Sequence, residues 1–272
     1  MRSLSCLALS VLLAIGVGLP PARAANAPAK GPVPVVLITG SNRGIGLALA
    51  QVYAERGWSV IATCRDPAQA AELRALAAAH TQVRIESLDV VSGASLEALV
   101  ARLHGEPIDV LINNAGVLGD PATENLSHFD ETNFSDVMNV NSFGPLSVSA
   151  ALLENVVASQ QKKIVTLTSR SGSIGSLGTA HDNYYYRMSK AAVNMGMRLL
   201  QNDVRDRGVI VGLISPGPVD TDMNRTYRHN APAGPGILSP RQSATAVQAL
   251  IDKLDPAMGG RYLEYDGTEN SW

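Results

Sequence analysis

From Val33 onward, short runs rich in β-branched residues alternate with longer stretches whose apolar positions recur at helical spacing. Val35-Val36-Leu37-Ile38-Thr39 opens the series with the near-continuous apolar character of a parallel strand buried on both faces. Similar runs at 60–63, 83–87, 110–112, 164–167 and 209–214 predict further strands, and 261–264 a last short one. Helical windows fall between them, at about 43–56, 67–79, 92–104, 132–159, 186–207 and 240–254, the last with Ser239 as N-cap and Pro240 at its first position. This alternation predicts an α/β fold over 33–272: a single Rossmann-type doubly wound parallel sheet of about seven strands, flanked by helices. Such a sheet takes its ligand outside the carboxyl ends of its strands, so functional residues are expected just after strands.

The first thirty residues follow a different pattern. Leu4 to Leu19 is apolar or small, with Arg2 before it and Pro20-Pro21-Ala22-Arg23-Ala24 after it. These are the parts of a secretory signal peptide, with cleavage expected after Ala24. The alternative is an uncleaved anchor, which would touch a membrane only through residues 4–19. Residues 25–32 read as a linker. Export to a periplasmic or extracellular space is the resulting expectation, with membrane anchoring or a cytoplasmic location as alternatives.

Composition narrows the chemistry. Hydrophobic residues make up 46% of the chain and aromatics only 4%, so the core must be built from Val, Ile, Leu and Ala. A net charge of −2 without a basic cluster argues against a nucleic-acid partner. Only Cys6 and Cys64 carry thiols, and the five histidines are scattered without metal-ligand spacing, so neither a disulfide nor a metal is expected.

Thr39-Gly40-Ser41-Asn42-Arg43-Gly44-Ile45-Gly46 directly follows the first strand and opens a helix. Gly40 permits a tight turn, Gly44 lets the backbone approach a phosphate, and Gly46 lets helix and strand pack closely. The helix N-terminus then offers free N–H groups and its positive dipole end to a pyrophosphate. Among short-chain dehydrogenases/reductases, which this turn resembles, the end of the second strand selects the cofactor; here Arg65 stands there and offers a 2′-phosphate a charge-assisted partner, and Arg43 offers a second. Asp66 precedes Pro67 and reads as a helix start. These electrostatics favour NADP(H) over NAD(H).

The glycine turn resembles that of the short-chain dehydrogenases/reductases, and the resemblance covers nearly all of 33–272. It implies that Gly40, Ser41, Asn42, Arg43, Gly44, Ile45 and Gly46 hold the cofactor together with Arg65 and Asp89, the latter similar to the family's adenine-contacting acid. Asn113-Asn114-Ala115-Gly116 matches the family's NNAG, adding Asn113, Ala115 and Gly116 to the cofactor site. Ser215-Pro216-Gly217-Pro218-Val219-Asp220-Thr221 resembles PGxVxT, which implies that Pro216, Gly217, Val219 and Thr221 hold the nicotinamide end.

Tyr186-Arg187-Met188-Ser189-Lys190 supplies a reacting group. Residues four apart share one helix face, which puts the Lys190 ammonium within reach of the Tyr186 phenol. A nearby cation favours phenolate and is expected to lower a pKa otherwise near ~10. Tyr184 and Tyr185 have no lysine at that spacing. Ser169, just after the fifth strand, is similar to the family's catalytic serine and is expected to hold the substrate carbonyl; Ser171 is its rival. The family also has an Asn three residues before a Gly, holding a water that relays protons to the lysine; Asn141 fits that place. Both Tyr186 and Lys190 are expected to touch cofactor as well.

Thr168 to Ile174, Tyr-Arg-Met-Ser-Lys and the ending Tyr265-Asp266-Gly267…Trp272 are similar to the Sniffer/C-factor branch of carbonyl reductases. The resemblance implies a ketone, aldehyde or quinone substrate, a homodimer or homotetramer, and substrate walls built from 173–185 and 222–238. The competing reading is a non-catalytic NADP-binding signalling or sensor protein. An exported reductase would also leave its cofactor supply behind in the cytosol.

Overall fold

The computed structural model describes residues 31–228 and 236–272. The expected signal segment and most of the linker therefore lie outside the described residues, as do 229–235 of the second substrate wall. Strands β1 (Val35–Ile38), β2 (Ser59–Cys64), β3 (Val83–Ser87) and β4 (Val110–Asn113) are followed by a hairpin of β5 (Glu124–Asn125) and β6 (His128–Phe129), then β7 (Lys163–Leu167), β8 (Ile210–Ser215) and β9 (Tyr262–Glu264). All but the hairpin form one seven-stranded parallel sheet in the order β3-β2-β1-β4-β7-β8-β9. The chain runs outward from β1 to β3 and then returns to β4 on the other side of β1. The crevice at this reversal is where a doubly wound sheet receives a dinucleotide.

Nine helices join the strands among the described residues: α1 (Gly44–Glu55), α2 (Ala71–Ala79), α3 (Gly93–Arg102), α4 (Glu131–Met138), α5 (Gly144–Ala151), α6 (Leu153–Val157), α7 (Tyr184–Val204), α8 (Asp222–Tyr227) and α9 (Pro240–Lys253). Strand side chains alternate between two cores, as a period of two dictates. Val36 and Ile38 of β1 enter the core beneath α1 and α9, while Leu37 enters the one beneath α3, α5 and α7. Every β1, β4, β7 and β8 residue except Val35 is buried, which explains the unbroken apolar runs.

The window 132–159 is not one helix. α4 passes into a π turn at Asn139–Phe143, α5 follows, and the chain breaks again at Leu152 before α6. Pro145 explains the first interruption: it has no N–H for the Asn141 carbonyl, and its ring crowds the preceding turn. One extra residue in the turn relieves both problems, and such insertions recur at functional sites. α8 was not foreseen, although Thr221 followed by Asp222 is a legible helix start: the Thr221 hydroxyl accepts the Asn224 N–H at 3.2 Å.

Candidate active site

The glycine turn is held open by backbone geometry that side chains would block. Gly40 (φ +68°) and Gly44 (φ +58°) occupy the left-handed region, and a Cβ on Gly40 would lie 2.9 Å from the Ala115 Cα. A Cβ on Gly46 would lie 2.3 Å from the Gly40 carbonyl oxygen and 2.4 Å from Asn114 Nδ2. Asn114 itself clamps the turn, donating from Nδ2 to the carbonyls of Thr39 (2.8 Å) and Gly40 (3.0 Å). Thr39 Oγ1 in return accepts the N–H groups of Asn114 and Ala115, each at 3.0 Å.

Above this turn lies a cleft of about 590 Å³, a volume suited to a small ligand or cofactor. Gly40, Asn42, Arg43, Gly44, Ile45 and Gly46 line one end, with Ala115 and Gly116 beside them. α1 begins here without a side-chain cap and without an acid in its first turn, whereas α3, α4, α8 and α9 are each capped by a side chain. Its N–H groups are left for an anion. Arg65 and Asp89 line the flank, and neither Arg43 nor Arg65 has an ion-pair partner among the described residues. Asp66 does not neutralise Arg65: its carboxylate accepts the Ala68 and Gln69 N–H groups at 3.0 and 3.4 Å, capping a short turn as its sequence position suggested. Pro216 and Thr221 close the far side, and Tyr186 and Lys190 stand in the wall.

Four expected cofactor residues stand behind that lining. Ser41 is buried, its hydroxyl bonded to the Ile38 carbonyl and its N–H to that of Thr63, each at 2.8 Å. Asn113 is buried between strands and donates to Ser149 Oγ (2.9 Å) and Thr166 Oγ1 (3.3 Å), so Asn114 takes the cleft position instead. Gly217 (φ +77°) turns against the Tyr265 ring, and Val219 is buried against Leu238. These residues shape the wall from behind.

The reacting group is set by converging elements. α7 begins at Asn183, which has φ +52° and offers no side-chain cap; the buried Glu124 carboxylate of β5 accepts the Tyr185 N–H at 2.6 Å in its place. Ser169 hydrogen-bonds the Tyr186 phenol, and its own carbonyl accepts the buried Tyr262 hydroxyl at 2.5 Å. Burial pushes the Tyr262 phenol up, which keeps that donor protonated. Ser171 is turned elsewhere, with Oγ 2.9 Å from the Tyr227 hydroxyl. Lys190 is buried, donates to the Leu167 carbonyl at 3.0 Å, and holds Nζ 5.6 Å from the Tyr186 ring centre.

The electrostatics differ from the sequence expectation. Burial pushes the Tyr186 phenol up to about 12, opposed by the Ser169 hydrogen bond, and pulls Lys190 down to about 8. The ammonium therefore does not set the phenol's value in the cofactor-free protein; desolvation does. The Asn141 side chain is held by three hydrogen bonds. Its Nδ2 donates to the Val117 carbonyl (2.7 Å) and Ser189 Oγ (3.0 Å), and its Oδ1 accepts the Val117 N–H (2.8 Å). The side chain ties the loop after β4 to α7, leaving the main-chain carbonyl, which Pro145 cannot reach with an N–H, as the group able to hold a water.

Sequence reading missed Tyr227. Its ring meets Tyr186 edge-on at 5.7 Å between centres, and Arg187, paired with Asp182 at 2.8 Å, lies 5.7 Å over its face. Nothing in the periodicity of 222–227 marks this residue. The other wall, 173–185, covers an apolar cavity of about 270 Å³ lined by Ile174, Leu177, Tyr184 and Met188 together with Ser171. No cluster of His, Cys, Asp or Glu suited to a metal occurs among the described residues.

Residues 34–232 match the family model for short chain dehydrogenases. C-signal of Myxococcus xanthus is 37% identical over 178 residues, covering 65% of this chain and all of that protein. An NADPH-bound carbonyl reductase from chicken liver superposes with a TM-score of 0.80 at 31% identity, covering 88% of this chain and 99% of that one. Carbonyl reductase Sniffer of D. melanogaster follows at 0.78 and 28%, over 88% of this chain and all of its own. The clamped glycine turn, the strand order and these likenesses agree: the chain belongs to the short-chain dehydrogenase family.

Proposed function

We propose that this protein is an NADP(H)-dependent reductase of ketones, aldehydes or quinones. The observation that carries the reading is one cleft lined by Arg43 and Arg65, without ion-pair partners among the described residues, and by Tyr186 and Lys190, with Ser169 hydrogen-bonded to the Tyr186 phenol. Binding of NADPH by a relative of matching fold supports the cofactor assignment. The uncapped α1 terminus would take the pyrophosphate, and Arg43 and Arg65 the 2′-phosphate. When bound, NADPH supplies the hydride. The chain's own residues do the rest: Ser169 holds the carbonyl oxygen, Tyr186 delivers a proton to it, and Lys190 uses its free N–H groups on the nicotinamide ribose. A water on the Asn141 carbonyl links Lys190 to solvent and replaces the proton.

Arg65→Glu tests the cofactor half. The substitution removes a charge-assisted bond and places a carboxylate beside the phosphate, so kcat/KM for NADPH falls roughly 10²-fold. The value for NADH changes less than about threefold, because NADH has no phosphate there. Steady-state assays with both cofactors check this; equal losses for the two would remove Arg65 from the phosphate site.

A homodimer is the assembly we propose. Met188, Met195 and Leu199 expose 49%, 63% and 56% of their surface along one stripe of α7, and Phe143, at 59%, stands on the adjoining π turn. An apolar stripe of this kind marks an association face. Light scattering should find a dimer or larger species for the wild type and a monomer for Met195→Glu/Leu199→Glu; an unchanged mass places the interface elsewhere.

A further inference from the structure

Beside the reacting pair stands a second serine–tyrosine pair with no part in the chemistry described above. Ser171 Oγ and the Tyr227 hydroxyl are 2.9 Å apart, and both residues are half-buried. The two pairs are joined twice. The Ser171 N–H donates to Ser169 Oγ at 3.1 Å, and the Tyr227 and Tyr186 rings meet at 5.7 Å. When two hydroxyls bond to each other, one donates and the other keeps its hydrogen, so the pair still has one O–H for an outside acceptor. Tyr227 is held ready for this by Arg187 over its ring face and by the Asn183 side chain, which donates to its carbonyl at 3.4 Å. Ser171 lines the apolar cavity, and Tyr186, whose ring Tyr227 meets, lines the cleft.

We propose that Ser171 and Tyr227 form a second oxygen-binding subsite, so that the preferred substrate carries a second carbonyl or hydroxyl oxygen beside the carbonyl that is reduced. This rests on the reductase reading and adds substrate class to it. The second oxygen is held, not reduced: hydride and proton go to the carbonyl at Tyr186 as before.

The test compares cyclohexanone with 1,2- and 1,4-cyclohexanedione, which keep the ring and add one oxygen. NADPH consumption is followed for the wild type, Tyr227→Phe, Ser171→Ala and Ser171→Thr. Dividing kcat/KM for each dione by that for cyclohexanone, and then comparing variant with wild type, cancels the intrinsic reactivity of each ketone. Loss of one neutral hydrogen bond lowers that ratio roughly three- to tenfold for the better dione in Tyr227→Phe and in Ser171→Ala. Ser171→Thr restores the hydroxyl and the ratio. Tyr227→Phe keeps the ring that packs on Tyr186 and Arg187, so a packing defect would slow all three ketones alike and leave the ratio unmoved, which overturns the subsite. A wild type active on cyclohexanone whose ratio is unmoved in both variants overturns the subsite alone. A wild type that consumes no NADPH with any of the three overturns the reductase reading as well.

Discussion

Tyr186→Phe lowers kcat for carbonyl reduction roughly 10²- to 10⁴-fold, the range that a positioned acid contributes. The phenylalanine ring keeps the edge contact with Tyr227 and the neighbourhood of Lys190, so what is lost is the proton donor. With its phenol pushed up to about 12, Tyr186 is in the acid form across the neutral range, and reduction needs no prior protonation. Alcohol oxidation by the same route would have to ionise the phenol first. NADPH affinity, read from quenching or enhancement of its fluorescence, should change less than about threefold because the proposed phosphate contacts, Arg43 and Arg65, lie at the other end of the cleft. This pairing separates an enzyme from a nucleotide-binding signalling protein, for which the similarity to C-signal gives a motive. Undiminished turnover in the phenylalanine variant would mean that another group supplies the proton.

The frame and the cleft were legible because both depend on local rules. Strands buried on both faces must be apolar at every position, so β1, β4, β7 and β8 stood out in the sequence. Gly40, Gly44 and Gly46 were legible for a related reason: positive φ and close backbone approach leave glycine little competition. The misreadings concern residues whose role depends on direction. Asn113 and Asn114 are adjacent and identical in chemistry, yet in a strand they face opposite ways, and only Asn114 reaches the cleft. Asn141 sits at the expected place, and what the sequence could not show is that its side chain ties the loop after β4 to α7. Tyr227, Glu124 and Tyr262 reach the site from 41 residues after, 62 before and 76 after Tyr186, and no sequence spacing encodes such tertiary approaches.

Lys190→Met is expected to destroy activity and stabilise the cofactor-free fold. Lys190 is buried with a single hydrogen bond, to the Leu167 carbonyl, and burial pulls it from its ordinary 10.5 to about 8. Its folded value is depressed, so between those limits the unfolded chain binds more protons than the folded one. Stability therefore rises with pH across that window, and the burial penalty is fully present below about 8. A shift of that size corresponds to about 3 kcal/mol, and losing the Leu167 hydrogen bond returns about 1 kcal/mol. The Met variant should then melt roughly 4–8 °C higher at pH 7. That gain should fade through this window and be gone well above pH 10.5, where the wild-type lysine is neutral folded and unfolded alike. In the reductase assay the same substitution removes the proposed ribose contacts and lowers kcat/KM roughly 10²-fold. It should also flatten the pH profile, because wild-type activity is expected to decline above about 8 as Lys190 loses its proton. Calorimetry at several pH values and steady-state kinetics on one preparation measure both halves. A Met variant that is inactive yet less stable at pH 7 would show that the Leu167 bond outweighs desolvation, and the decline in activity above pH 8 would then need another titrating group.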